Sequence, residues 1–548
     1  MHPYGWLSLA PPVVAVVLAI ITRRILLSLL FGLFAGALLT TGGDVVRAVI
    51  DLCETHLWQS FIQPNKLRLF TFTMVMGATV GLIHRAGGML GLVQLMTPLA
   101  GSRRSGQLTG WGMGLLVFFD DYANTLLLGG ALRSVFDRLK ISREKLAYLV
   151  DSTAAPVAGL ALVSTWVAVE IAYVQEGLDN LAVGQEPTAN AFTLFIACLP
   201  YRFYVIQALL FVPIVALVGR DFGPMLHAER AAKNGDNDPV AIEDEEAADG
   251  PTPTHWSGAV VPLLAMLTMV VYLLYSTGLA NLGDAFDPGA PFFDRLREIF
   301  GAASSSLALQ YGALVGLAVA LFIVWRRGLL TGPETSRALV KGVLTVLPAV
   351  AILWMAAAMS RMTGNKSVDG APSTVAYEFS DHRLYTGEFL SLQLLGAPGA
   401  EPSETLVTLL PTGVFLLSAV VAFCTGTSFG TMGLVVPMVV PLAWAAVTDG
   451  ADPAQSALLL ASLGGVLAGA IFGDHCSPIS DTTILSSQAS TCDHMAHVRT
   501  QMPYALLVAA VCVLLGTLPI GWGMSVWLLL PVQTVALVGL LLIVGQKP

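Results

Sequence analysis

The sequence predicts an all-α polytopic membrane protein: about 11 transmembrane helices plus two re-entrant hairpins in an inverted-topology repeat. Three observations carry this. First, of 548 residues 55% are hydrophobic and only 12% charged, about half the ~25% usual for soluble domains. Second, apolar runs near the ~20 residues of one bilayer crossing recur along the chain. Third, the two halves repeat one order of spans and interruptions. A mean hydropathy of +0.72 agrees. Soluble enzymes, nucleic-acid binders and secreted disulfide scaffolds are excluded. The six cysteines (Cys53, Cys198, Cys424, Cys476, Cys492, Cys512) contain no CxxC pair, which argues against zinc ribbons and redox motifs.

Residues 1–24 hold the first span, 6–22. It lacks a charged leader and a small-residue cleavage site, and Arg23-Arg24 follow it. It reads as a retained span with its N-terminus outside. Residues 25–220 form the first repeat: spans 25–41 and 68–83, hairpin 106–130, interrupted helix 146–175 and span 190–219. Residues 221–255 form a cytoplasmic linker. Its stretch NGDNDPVAIEDEEAADG at 234–250 is acidic without a basic residue, and such a run is normally disordered and solvated. Residues 256–303 supply a connecting span, 256–279, and an outer loop. The second repeat, 304–522, runs through spans 304–325 and 343–361, hairpin 406–447, interrupted helix 455–489 and span 503–521. The last span, 524–545, lies in 523–548.

Loop charges set the sides. Loops 84–105, 131–145 and 326–342 are basic; loop 176–189, with Glu176, Asp179 and Glu186, and loop 362–405 are acidic. They segregate only if both hairpins return to the side they entered. The C-terminus then lies inside, and the expected location is the inner (plasma) membrane.

Each hairpin is interrupted by polar or small residues, FFDDYANT in the first and CTGTSFGT in the second. Backbone can turn at membrane depth only where protein or a water-filled cavity satisfies its polar groups. The interrupted helices carry DSTAAP at 151–156 and GDHCSP at 473–478. Each string has an Asp, small hydroxyl or thiol residues, then a proline that removes a backbone donor. Freed carbonyls suit a cation and a new half-helix N-terminus suits an anion, which places the substrate near the bilayer midplane.

Ionisable groups inside a membrane are expensive and need a reason. The candidates are Asp120, Asp121, Asp151, Asp474, His475 and Asp481. Adjacent carboxylates such as Asp120 and Asp121 repel, and a carboxylate that titrates near neutral pH can trade a proton for a cation. Asn124 and Thr125 offer neutral oxygens beside them, and Ser152 and Thr153 follow Asp151. The second hairpin tip has no carboxylate but offers Thr425, Thr427 and Ser428; Gly and Thr there serve helix packing equally well. The run 473–487 adds Cys476, Ser477, Thr482 and Thr483. A hydrogen-bonded or proton-carrying His475 is favoured over a transition-metal ligand, because no second His or Cys stands at ligand spacing. His494 and His497, three apart in the next cytoplasmic loop, read as a solvated helix face.

GDHCSPISDTTILSS at 473–487, FFDDYANTLLLGG at 118–130 and LAYLVDSTAAPVAGLALVSTW at 146–166 resemble the NhaC family of sodium/proton antiporters. The resemblance covers about 100–220 and 410–520, most of both halves. It implies a homodimer whose protomers each have a scaffold part and a moving, elevator-type transport part, with sodium near the hairpin tips and broken helices.

Two functions follow. Sodium/proton exchange would use Asp120, Asp121, Asp151, Asp474 and Asp481 for coupling, with sodium at Asp120, Asp121, Asn124 and Asp474. Sodium-coupled transport of a small organic acid or amino acid is favoured slightly by the carboxylate-free second tip. A basic midplane residue would indicate an anionic solute, and none is read there. No enzyme motif is visible. No cofactor is expected beyond sodium itself, and the bilayer is the expected surrounding.

Overall fold

A computed structural model describes the chain except for residues 1, 23, 163, 182–186, 236–251, 253, 284–285, 287, 290, 365–381, 396–402 and 448–451. The acidic run of the linker and most of loop 362–405 fall outside the described residues. Among those described, the regular elements are helices, and an isolated antiparallel bridge, Asp221 to Gln546, ties down the C-terminal end. Among the described residues, ten helices are long and apolar enough to cross a membrane, or up to 13 if each bent pair is one span.

The span expected at 25–41 is Ile25–Thr40, and the chain then turns by 119° into Val45–Ile62, a helix the apolar runs did not announce. Asp44 caps it, accepting from the backbone of Val46 at 3.0 Å and Arg47 at 3.1 Å. Pro64–Arg85 and Gly332–Thr363 pack backbone to backbone: a Cβ on Gly342 would lie 2.2 Å from the Gly77 carbonyl oxygen. Small residues permit that approach where helices have little hydrophobic drive to associate.

The first hairpin is Arg103–Leu116 and Asp121–Arg138, joined by a non-helical tip at 117–120. The second is Glu404–Thr425 and Ser428–Ala445, joined at Gly426 and Thr427. Each arm of the second is long and apolar enough to cross. Two arms return the chain to its starting side whatever their depth, so the segregation of loop charge is unaffected.

The first broken helix is Arg143–Leu160 followed by Thr165–Asp179, bent by 51°. Its main break, 161–164, lies beyond DSTAAP. The helix Arg143–Thr153 nevertheless ends at Ala154, inside DSTAAP as expected, and the short helix Ala155–Leu160 follows with Pro156 in its first turn, where the missing N–H leaves no bond unmade. In the second, Ala457–Cys476 and Asp481–Ala489, Pro478 stands in the break itself. The span expected at 190–219 is also bent, by 50°, between Ala191–Tyr201 and Phe203–Val218.

Arg202 occupies that bend, fully buried. This corrects the expectation that no basic residue lies at mid-span. Its charge is matched by Glu170, also fully buried, with Nη2 2.8 Å from Oε2.

Candidate functional site

Four half-helices begin close together, and each is capped by the side chain just before it. Asp120 accepts from the Ala123 N–H at 2.7 Å. Ser164 accepts from Trp166 at 3.2 Å and Val167 at 3.1 Å. Thr427 accepts from Gly430 at 3.3 Å, and Ser480 from Thr483 at 3.4 Å. These caps satisfy backbone donors that a helix start leaves orphaned.

The four starts form a closed ring of contacts. The Thr165 N–H donates to the Phe119 carbonyl at 2.9 Å, joining the first hairpin tip to the first broken helix. Trp166 and Phe429 pack with ring centroids 4.5 Å apart and planes tilted by 42°, joining that helix to the second hairpin. The Ser428 hydroxyl donates to Asp474 Oδ2 at 2.9 Å, and Thr482 reaches the same oxygen at 3.5 Å. Tyr122 donates to Asp481 Oδ2 and closes the ring. The second tip presses on the second break: Gly426 has φ +66°, and a Cβ there would lie 2.7 Å from the Ile479 carbonyl oxygen. Glycine meets both demands.

Asp120, Asp121 and Asp474 are buried in this ring, and Asp481 is exposed at its edge. Asp121 feels the charges of Asp120 and Asp481, and Asp474 that of Asp481. The donors named above are neutral: backbone N–H groups and hydroxyls. Asn124 secures the first tip, its Nδ2 lying 2.9 Å from the Gly114 carbonyl oxygen, 3.1 Å from that of Val117 and 3.2 Å from that of Thr153. Asp474 Oδ1, Asn124 Oδ1 and Thr125 Oγ1 are buried without a hydrogen-bond partner. Oxygens of that kind, beside uncompensated carboxylates, suit a hard cation.

Asp151 lies in an adjoining cluster, close enough for its charge to act on Asp474 and Asp481. Its Oδ2 accepts from Gln501 Nε2 at 2.6 Å and from the Thr483 hydroxyl at 3.2 Å. His497 Nε2 is 3.4 Å away and His475 Nε2 3.8 Å. His475 also has its Nε2 3.3 Å from the Ser152 hydroxyl and its Nδ1 2.8 Å from the Tyr204 hydroxyl.

The other sequence candidates face elsewhere. Thr153 and Thr425 bond back to carbonyls of their own helices, Leu149 at 2.9 Å and Val421 at 2.8 Å. Ser477 donates to the Phe423 carbonyl at 2.8 Å, and Cys476 is a buried free thiol. His497 overturns the expected solvated face: it is fully buried against Asp151, while His494 Nε2 lies 2.7 Å from the Pro478 carbonyl oxygen. Tyr122, Tyr204 and Gln501 were not singled out from sequence. The available signal was His497 and Gln501 at i, i+4, a polar face entering an apolar helix.

The sequence model of the Na+/H+ antiporter family matches residues 157–366 and 403–522. An uncharacterized protein of Haemophilus influenzae is 29% identical over 92% of this chain and 88% of its own. The malate-2H(+)/Na(+)-lactate antiporter of Bacillus subtilis is 29% identical over 36% of this chain and 37% of its own. The solved YdaH transporter of Alcanivorax borkumensis shares the fold, with TM-score 0.53 at 15% identity, over 88% of this chain and 90% of that one.

Proposed function

The chain belongs to the Na+/H+ antiporter family, and we propose that it exchanges sodium for protons by alternating access. The carrying observation is the buried, unpartnered Asp474 Oδ1 among carboxylates whose charges bear on one another, Asp121 with Asp120 and Asp481, and Asp474 with Asp481. Desolvated carboxylates are costly unless a cation or a proton compensates them. Sodium bound there would take ligands from Asp120, Asp121, Asn124 and Asp474, with Ser428 and Thr482 holding Asp474 in place. Protons would occupy the same carboxylates in the sodium-free state. Asp151, held between two imidazoles and Gln501, would serve as the neighbouring proton carrier.

The two halves would be related by inversion, each with a hairpin followed by a broken helix. Basic loops would lie in the cytoplasm with the C-terminus, and the N-terminus outside. Movement would be of the elevator type, in a homodimer.

Sodium-driven movement of a small organic anion is the second reading. One observation favours it: four helix N-termini, the positive ends of their dipoles, start around one point. The lactate-exchanging relative fits the same chemistry. The test is purified protein in liposomes under a sodium gradient, with lumenal pH recorded with and without a library of amino acids and organic acids. Sodium-driven pH change without solute supports exchange. Change only with one solute supports the second reading. No sodium-dependent change in either condition overturns both.

A further inference from the structure

Arg202 is bonded on both sides of a break that its own helix does not contain. Its Nη1 lies 2.6 Å from the Gly159 carbonyl oxygen, near the end of Arg143–Leu160, and 3.1 Å from Glu170 Oε1. Its Nη2 lies 2.8 Å from Glu170 Oε2, beyond the break in Thr165–Asp179. One guanidinium fork therefore joins the helix ending at Leu160 to the helix beginning at Thr165. Two residues on, the Tyr204 hydroxyl meets His475 Nδ1 at 2.8 Å, and His475 follows Asp474 in the second broken helix. The Tyr204 ring packs on Phe472 with centroids 4.9 Å apart. The backbone of the same bend is pressed on that helix, where a Cβ on Gly464 would lie 2.9 Å from the Tyr201 carbonyl carbon. The bend between Ala191–Tyr201 and Phe203–Val218 thus grips the first broken helix through Arg202 and the second through Tyr204.

We propose that Arg202 and Tyr204 are positioning residues that fix the spacing of the two breaks, keeping site residues from the two halves of the chain in register. Neither makes a hydrogen bond to Asp120, Asp121, Asp474 or Asp481 among those described above. The proposal rests on sodium binding at the ring. A planar fork makes the two-sided grip possible; a lysine ammonium keeps the charge but cannot reproduce the fork. Loosening a site by a fraction of an ångström weakens binding without removing a ligand.

The experiment measures sodium-driven exchange in liposomes for wild type, Arg202→Lys, Tyr204→Phe and the double variant, with rates normalised to folded protein. Each single variant should raise the sodium KM by about fivefold or more while Vmax stays within about twofold. The double variant should raise KM by less than the product of the singles, because both act through one bend. Tyr204→Phe loses only a hydroxyl and keeps the ring, so it reports even if Arg202→Lys folds poorly. A wild-type sodium KM in Tyr204→Phe overturns the proposal. So does an Arg202→Lys variant that loses folded protein but keeps the wild-type KM in what remains. A wild type without sodium dependence overturns the functional reading itself, and this proposal with it.

Discussion

Ser428, the first residue of one half-helix, donates its hydroxyl to Asp474 at 2.9 Å, near the end of another half-helix, and leaves the second carboxylate oxygen of Asp474 buried and unbonded. The bond orients the carboxylate and fills one of its oxygens. The other oxygen is the one available to a cation.

Sodium should therefore stabilise the purified protein against heat more than potassium at equal ionic strength. A ligand present at 100 times its Kd adds about 2.7 kcal/mol when it binds only the folded state. Asp474→Asn replaces the charge with an amide and should weaken sodium affinity by about tenfold, or ~1.4 kcal/mol. Equal stabilisation by both cations would remove the case for a sodium site.

Asp120→Asn and Asp121→Asn keep the side-chain shape but cannot ionise. Each should abolish exchange while the protein still inserts, since an amide can still cap or pack. Asp236→Asn, in the acidic linker, should transport like wild type. Wild-type exchange in both hairpin variants would refute their role in coupling.

Topology can be read by labelling. After replacing the six native cysteines, of which Cys53 is exposed and Cys424 half-buried, a single cysteine at Gly235 should react only with cytoplasmic reagent and one at Asp369 only with external reagent. The positive-inside bias of the loops gives this assignment. Reaction of both from one side would break the inverted arrangement.

Glu229, on the amphipathic helix Gly223–Asn234 beyond the spans, offers a pH test. It accepts from Ser142 N–H at 2.8 Å and its hydroxyl at 2.7 Å, and from Arg103 at 2.5 Å. Burial nevertheless pushes its carboxyl above the ordinary 4.5, and Lys145 and Arg103 only partly offset this. The folded state then holds a proton that the unfolded state has released. Stability from this group is greatest below 4.5 and is lost as pH rises through the raised value. Thermal stability of wild type should fall more steeply over that window than that of Glu229→Gln. Parallel pH curves for the two proteins would contradict this.

Much of this arrangement is legible in sequence because membranes make polarity expensive. Asp120, Asp121, Asp474 and Asp481 stand out in apolar surroundings, and they do lie around one ring. Contacts across the halves are less legible. Tyr122 meets Asp481, yet nothing local to either residue names the other. Arg202 and Glu170 hide in runs that read as apolar because each cancels the other's cost. His497 follows a loop and resembles a solvated residue until the helix carrying it packs on Asp151. The break at 161–164 is missed because proline marks where a helix lacks a donor, and at Pro156 that donor is not needed.

The Tyr122–Asp481 contact joins residues 359 positions apart. At about 5–20 residues per second, the ribosome delivers the second partner roughly 20–70 s after the first. During that interval the first hairpin sits in the bilayer with Asp120 and Asp121 in place and no ring around them. The nascent first half must then keep its tip hydrated or shielded until Asp481–Ala489 arrives. Assembly of this centre is therefore one of the last events of the protein's biogenesis. A half-chain made alone should be marked for degradation unless its complement is supplied in the same membrane.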